Sequence, residues 1–162
     1  MEDPITIREA QVDDVEAIYE VHIKSIHELC NSSYCVEEID AWTGEKRPEN
    51  YLRAMEQGER LLVAEEDGKT IGFGGILLME RVITAVYVHP SSVGRGTGSL
   101  ILSKLETIAR STALNCLNLY STLNAVLFYE ASGYHREKST KYKLKGNTEL
   151  ECIHMTKNLL PE

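Results

Sequence analysis

Residues 82–122 leave the chain few folds to choose from. A run of β-branched and aromatic residues, VITAVYV at 82–88, leads through a loop with glycine at 94, 96 and 98 into a stretch with Ile101, Leu105 and Ile108 on one helical face. A second strand-like run begins at Cys116. Two strands of one sheet joined through a single helix lie parallel, because the helix carries the chain back to the end from which it started.

Short turns surround that crossover. Residues 60–65 and 70–79 flank Asp67-Gly68, a strong hairpin signal, and 82–88 follows a turn at Glu80-Arg81. Residues 134–145 and 150–157 flank Gly146-Asn147, and 5–9 alternates as a first strand. Helices are predicted over 13–29, where Val15, Ile18, His22, Ile26 and Leu29 share a face behind Asp13 and Asp14, and over 34–42, 48–57, 98–112 and 125–132. The expected architecture is α/β (α+β): a mixed, mostly antiparallel sheet of six to seven strands flanked by helices, with one parallel pair. The length suits one domain over 1–162.

A net charge of −8 argues against a nucleic-acid partner and is compatible with a cationic small substrate. The start, MEDPITIREA, lacks the basic and apolar regions of a signal peptide, and no stretch approaches the about 18 apolar residues of a membrane span, so a cytoplasmic protein away from membranes is expected. Cys30, Cys35, Cys116 and Cys152 are scattered, which fits reduced thiols, and His22, His27, Cys30 and Cys35 match no zinc spacing, so no metal is expected.

The glycine loop points to a ligand. A helix N-terminus carries unpaired amides and a partial positive charge, and glycines let the backbone approach a diphosphate and turn successive amides toward it. Arg95 adds a full charge. A nucleoside triphosphate site would want a lysine in G-x-x-x-x-G-K-[ST], which is missing. A dinucleotide or adenosylmethionine site would want an acid on the next strand, and residues 114–122 contain none.

The segment AVYVHPSSVGRGTGSLILSKLE, followed by NAVLFYEASGYH, resembles the core of the GCN5-related N-acetyltransferases (GNAT), with the Q/R-x-x-G-x-G/A loop and the N-x-x-x-x-(F/Y)-Y-E-x-x-G-(F/Y) segment in order. The loop motif's first position, usually glutamine or arginine, is Val93 here. The resemblance implies a splayed parallel pair and acetyl-CoA as cosubstrate. It implies Arg95, Gly96, Thr97, Gly98 and Ser99 at the diphosphate, Val86 and Val88 along the pantetheine arm, Asn124 on its other side, and Tyr129 as proton donor to the leaving thiolate. The activity implied is transfer of acetyl to the amine of a small molecule or peptide by direct attack in a ternary complex. A non-catalytic acyl-CoA-binding module on the same fold is the alternative.

Many members carry a glutamate base where this chain has Thr84, so the proton needs another route, such as water reaching Glu80, His22 or Tyr34. Cys116 lies in a strand without a base beside it, which gives a covalent acetyl-cysteine little support. Tyr34, Trp42 and Tyr51, with Glu37, Glu38 and Asp40, fall in the region that forms the acceptor pocket in this family, and they read equally well as helix packing with a solvated face. Arg136, Lys138, Lys141, Lys143 and Lys145 suit an edge strand guarding itself against pairing better than a phosphate contact. A homodimer is left open.

Overall fold

The computed structural model describes residues 4–160. The strands are β1 (Thr6–Glu9), β2 (Arg60–Glu66), β3 (Lys69–Leu77), β4 (Val82–Val88), β5 (Cys116–Thr122), β6 (His135–Lys143) and β7 (Glu149–Asn158). The helices are α1 (Val15–Leu29), α2 (Val36–Gly44), α3 (Pro48–Glu56), α4 (Thr97–Ser111) and α5 (Val126–Ala131). All seven strands form one sheet in the order β1-β2-β3-β4-β5-β7-β6. The β4–β5 pair is parallel and the other five pairs are antiparallel.

The elements fall where hydrophobic period and turn chemistry place them, with small shifts at the ends. The third strand stops at Leu77, because Leu78–Glu80 coils into a 3-10 turn closed by Arg81 in the left-handed region at φ 59. The fifth strand runs on through Thr122, since β7 pairs with it to the end, Thr122 opposite Cys152.

Two helical layers enclose the sheet. Val15, Ile18 and Val21 of α1 and Tyr51 of α3 pack on Leu61, Val63 and Phe73. On the other face, Ile101, Leu102, Leu105 and Ala109 of α4 pack with Leu62, Ala64, Ile76 and Ile83. A third cluster joins the end of α1 and α2 to the β6–β7 hairpin through Ile26, Tyr34, Trp42, Leu144 and Leu150.

Helix α4 lies close to the sheet because β3 has no side chains in its way. A Cβ on Gly74 would stand 2.4 Å from Ile101 Cγ2, and one on Gly72 would stand 3.0 Å from the Tyr87 carbonyl. Strand β6 is one of the sheet's two outer strands, pairing only with β7, and Lys138, Lys141 and Lys143 on it are exposed. Arg136 pairs with Glu130 at 2.9 and 3.0 Å. Among the described residues no helix is long and apolar enough to cross a membrane.

Candidate active site

The site begins at a register fault. Opposite β3, Gly75 faces Ala85 and the next residue, Ile76, faces Ile83, so Thr84 is a surplus residue with no partner. Such a bulge bends its strand and increases the local twist. On the other side, β4 pairs with β5 only at Val82–Asn118 and Ile83–Leu119, and the strands part beyond the bulge. In the register after Thr84, His89 N–H donates to the Ile71 carbonyl at 2.7 Å, which turns the main-chain groups of His89, Tyr87 and Ala85 toward β3. Those of Val86 and Val88 therefore point into the gap. The Val88 carbonyl accepts a hydrogen bond from Ser25 Oγ of α1 at 2.6 Å, a residue that nothing in the sequence singled out.

The glycine loop sits at the end of this gap. Gly94 and Gly96 adopt φ 79 and φ 80, and a Cβ on either would enter open space. Gly96 is the N-cap of α4 and no side chain caps the helix, so the amides of Thr97, Gly98 and Ser99 have no intrahelical acceptor. Thr97 is buried and its Oγ1 has no hydrogen-bond partner. An open cradle, uncapped amides and an orphaned hydroxyl fit the diphosphate of a coenzyme A.

Two loop residues also have other partners. A Cβ on Gly98 would stand 3.2 Å from the Phe128 ring, so its bareness serves the packing of α4 against α5. Arg95 forms an ion pair with Glu66 at the end of β2, with Nη1 to Oε1 at 2.8 Å.

Tyr129 on α5 is buried in the α4 core, its ring edge-on to Phe128 and Tyr134 at 5.0 and 5.8 Å. Burial pushes its phenol well above the ordinary value, and its hydroxyl makes no hydrogen bond to another described residue. Asn124, in the turn between β5 and α5, is exposed, with its side chain beside the Cys30 thiol at the end of α1. Burial pushes that thiol up to about 11, and Asn124 partly offsets this.

Under the bulge lies a cavity of about 400 Å³ lined by His22, Tyr34, Trp42, Lys46, Glu59, Thr84 and Tyr87, with β5 and the β6–β7 hairpin closing it. Tyr34 and Trp42 line it as expected for an acceptor pocket, edge-on at 5.7 Å. Tyr51 stands behind it, its hydroxyl 2.8 Å from His22 Nδ1. The carboxylates expected there are elsewhere: Glu37 and Asp40 are exposed, and Glu38 accepts from the Cys35 amide at 2.9 Å at the start of α2. Glu80 is not in the lining either. The Tyr34 hydroxyl donates to the Glu151 carbonyl at 2.5 Å and accepts from the Leu123 amide at 3.1 Å, so its proton is committed to holding the fold.

The carboxylate that does face the cavity is Glu59, just ahead of β2. Burial raises its pKa, and the Thr84 hydroxyl, its polar neighbour, partly lowers it again. The two meet across β3 where Gly75 has no side chain: a Cβ there would lie 2.5 Å from Thr84 Oγ1. His22 is held neutral, its pKa well below 6.5 through burial and then the nearby charge of Lys46, and its Nε2 is buried without a partner. Among the described residues no three His, Cys, Asp or Glu gather where they could hold a metal ion.

Comparison with known proteins places this arrangement. No curated protein sequence matches the chain. Among solved structures, a GCN5-related N-acetyltransferase from Rhodopseudomonas palustris is similar with a TM-score of 0.89 and 25% identity, over 98% of each chain. The PaiA N-acetyltransferase from Thermoplasma acidophilum, in complex with coenzyme A, has a TM-score of 0.78 at 24% identity, over 96% of this chain and 99% of that one. YncA from Salmonella typhimurium, with acetyl-CoA, has a TM-score of 0.70 at 21% identity, over 98% and 96%. The family model described as acetyltransferase (GNAT) domain matches residues 30–159, which takes in the bulge, the gap, the glycine loop and the cavity lining apart from His22. With most of its length so matched, the chain belongs to the GCN5-related N-acetyltransferases and is an acyltransferase.

Proposed function

We propose that the chain transfers an acetyl group from acetyl-CoA to the amine of a small molecule held in the cavity beneath Thr84. The observation that carries this reading is the gap between β4 and β5, with open main-chain groups along its side and uncapped helix amides at its end. Val86 and the Val88 N–H serve an extended arm as the missing strand would. Arg95, Gly96, Thr97, Gly98 and Ser99 hold the diphosphate, with Arg95 exchanging Glu66 for phosphate oxygens. Asn124 closes the arm from the β5 side. Bound acetyl-CoA supplies a thioester carbonyl open to a nucleophile.

The remaining tasks are charge and proton handling. A lysine-like ammonium has a pKa of ~10.4, so making it neutral at pH 7 costs roughly 4.6 kcal/mol. Glu59, with its pKa raised by burial and its place beside Thr84, takes that proton at its carboxylate. A backbone amide near Val88 donates to the carbonyl oxygen as negative charge develops there. Tyr129 donates a hydrogen bond to the departing sulfur. Its phenol is a weaker acid than an ordinary one, so it stabilises the charge by hydrogen bonding and keeps its proton; the second proton the nitrogen sheds as the amide forms goes to solvent, from which the thiolate takes its own.

Thiol release from acetyl-CoA with a panel of primary amines tests the reading, together with calorimetry of coenzyme A. Steady turnover and binding are expected. Gly96→Glu should abolish coenzyme binding, since it sets a carboxylate in the cradle at a positive-φ position; undiminished affinity in that variant contradicts the diphosphate assignment.

A further inference from the structure

Three polar groups face the cavity, two of them charged side chains without an ion pair among the described residues and the third a buried nitrogen without a hydrogen bond. Glu59 and Lys46 are half-buried, and among the described residues neither forms an ion pair. The polar neighbour of Glu59 is the neutral Thr84. Lys46, in the link between α2 and α3, has only the adjacent Glu45 to balance it, and the Glu45 carboxylate is occupied with the Lys145 amide at 2.9 Å. Lys46 and Glu59 both line the cavity and form no ion pair with each other. The third group is the buried His22 Nε2, near Lys46.

Charges withdrawn from water without a counter-charge are unfavourable, and a ligand that supplies both counter-charges relieves both at once. From this we infer that the acceptor is a small zwitterionic amine of amino-acid type, its ammonium on Glu59 beside Thr84 and its anionic group on Lys46, with His22 Nε2 as an added hydrogen-bonding partner. The inference rests on the acetyltransferase reading and narrows it. A simple monoamine would satisfy Glu59 and leave Lys46 unmatched. A polyamine would bring a second cation toward the lysine. The cavity of about 400 Å³, walled by Tyr34, Trp42 and Tyr87, has the size of a small-molecule site.

The test compares matched pairs differing only in the anion, on the full chain with acetyl-CoA: tyrosine with tyramine, methionine with 3-(methylthio)propylamine, lysine with cadaverine, and 2-aminoethylphosphonate with ethylamine. At least one zwitterion should exceed its anion-free partner tenfold or more in kcat/KM. Lys46→Gln should cut that ratio at least tenfold, mainly through KM, while Lys46→Arg keeps it. The preferred zwitterion should also raise the melting temperature of the protein with desacetyl coenzyme A, and Lys46→Gln should remove the rise. Anion-free amines used equally well, a ratio unmoved in Lys46→Gln, or no turnover of any pair by a protein that binds coenzyme A would each overturn the inference. Failure to bind coenzyme A would instead overturn the acetyltransferase reading beneath it.

Discussion

Tyr129 and Glu59 both have pKa values raised by burial, with opposite consequences. A raised phenol stays protonated and can only donate, whereas a raised carboxyl becomes a stronger base toward an ammonium. Tyr129→Phe is therefore expected to lower kcat by about tenfold or more with coenzyme affinity kept, as removal of a group acting in the transition state should. Unchanged single-turnover rates would remove Tyr129 from that role. Glu59→Gln should lower kcat/KM at pH 7 by at least about tenfold, with activity recovering as pH rises toward the amine's own pKa and solvent takes the proton. A flat profile at wild-type rates would show that the amine loses its proton elsewhere. The roles proposed for Tyr129 and Asn124 come from one contiguous sequence motif. Glu59 was not legible in the sequence, since what joins it to Thr84 is a bulge and a bare glycine on the strand between them, and neither leaves a local pattern.

The strand–loop–helix–strand unit depends on how close α4 lies to β3. Ile101 is fully buried, with its Cγ2 where a Gly74 Cβ would be, so Gly74→Ala must move the helix or the strand. Overpacking of this kind costs about 1–3 kcal/mol. The melting temperature should fall by several degrees, and coenzyme affinity should fall with it because the helix N-terminus moves too. A variant that melts and binds as the parent does would contradict the close fit. Element type and order were readable from period and turn residues, and so was the parallel pair, because a single crossover allows nothing else. The residues that line the cavity were harder to place. Tyr34 and Trp42 were identifiable as aromatic walls, but Glu37, Glu38 and Asp40 share their segment and face solvent or cap α2, a distinction set by the docking of that helix on the β6–β7 hairpin.

Across the whole molecule, burial sets a pH window for stability. His22 is neutral in the folded protein, while in the unfolded chain it takes a proton near its ordinary 6.5, so stability is present above that value and drains away as pH falls below it. Tyr34 is pushed up to about 12, and Tyr51, Tyr87, Tyr129 and Tyr134 are also raised, all chiefly by burial. The unfolded chain releases these phenolic protons near 10 and the folded chain keeps them, so stability is complete below that value and is lost above it. Melting temperatures should plateau between about 6.5 and 10 and decline on both sides; a curve that stays level past the alkaline edge would show that these phenols ionise freely in the native state.

The surplus residue at position 84 has one more consequence. With it removed, Ala85 and Ile83 would follow Gly75 and Ile76 in step, the fourth strand would straighten, and the ladder to the fifth could zip onward. A single deleted codon separates an open slot from a sealed wall, so the enzyme's mouth is an indexing offset of one amino acid rather than a hollow carved by large side chains.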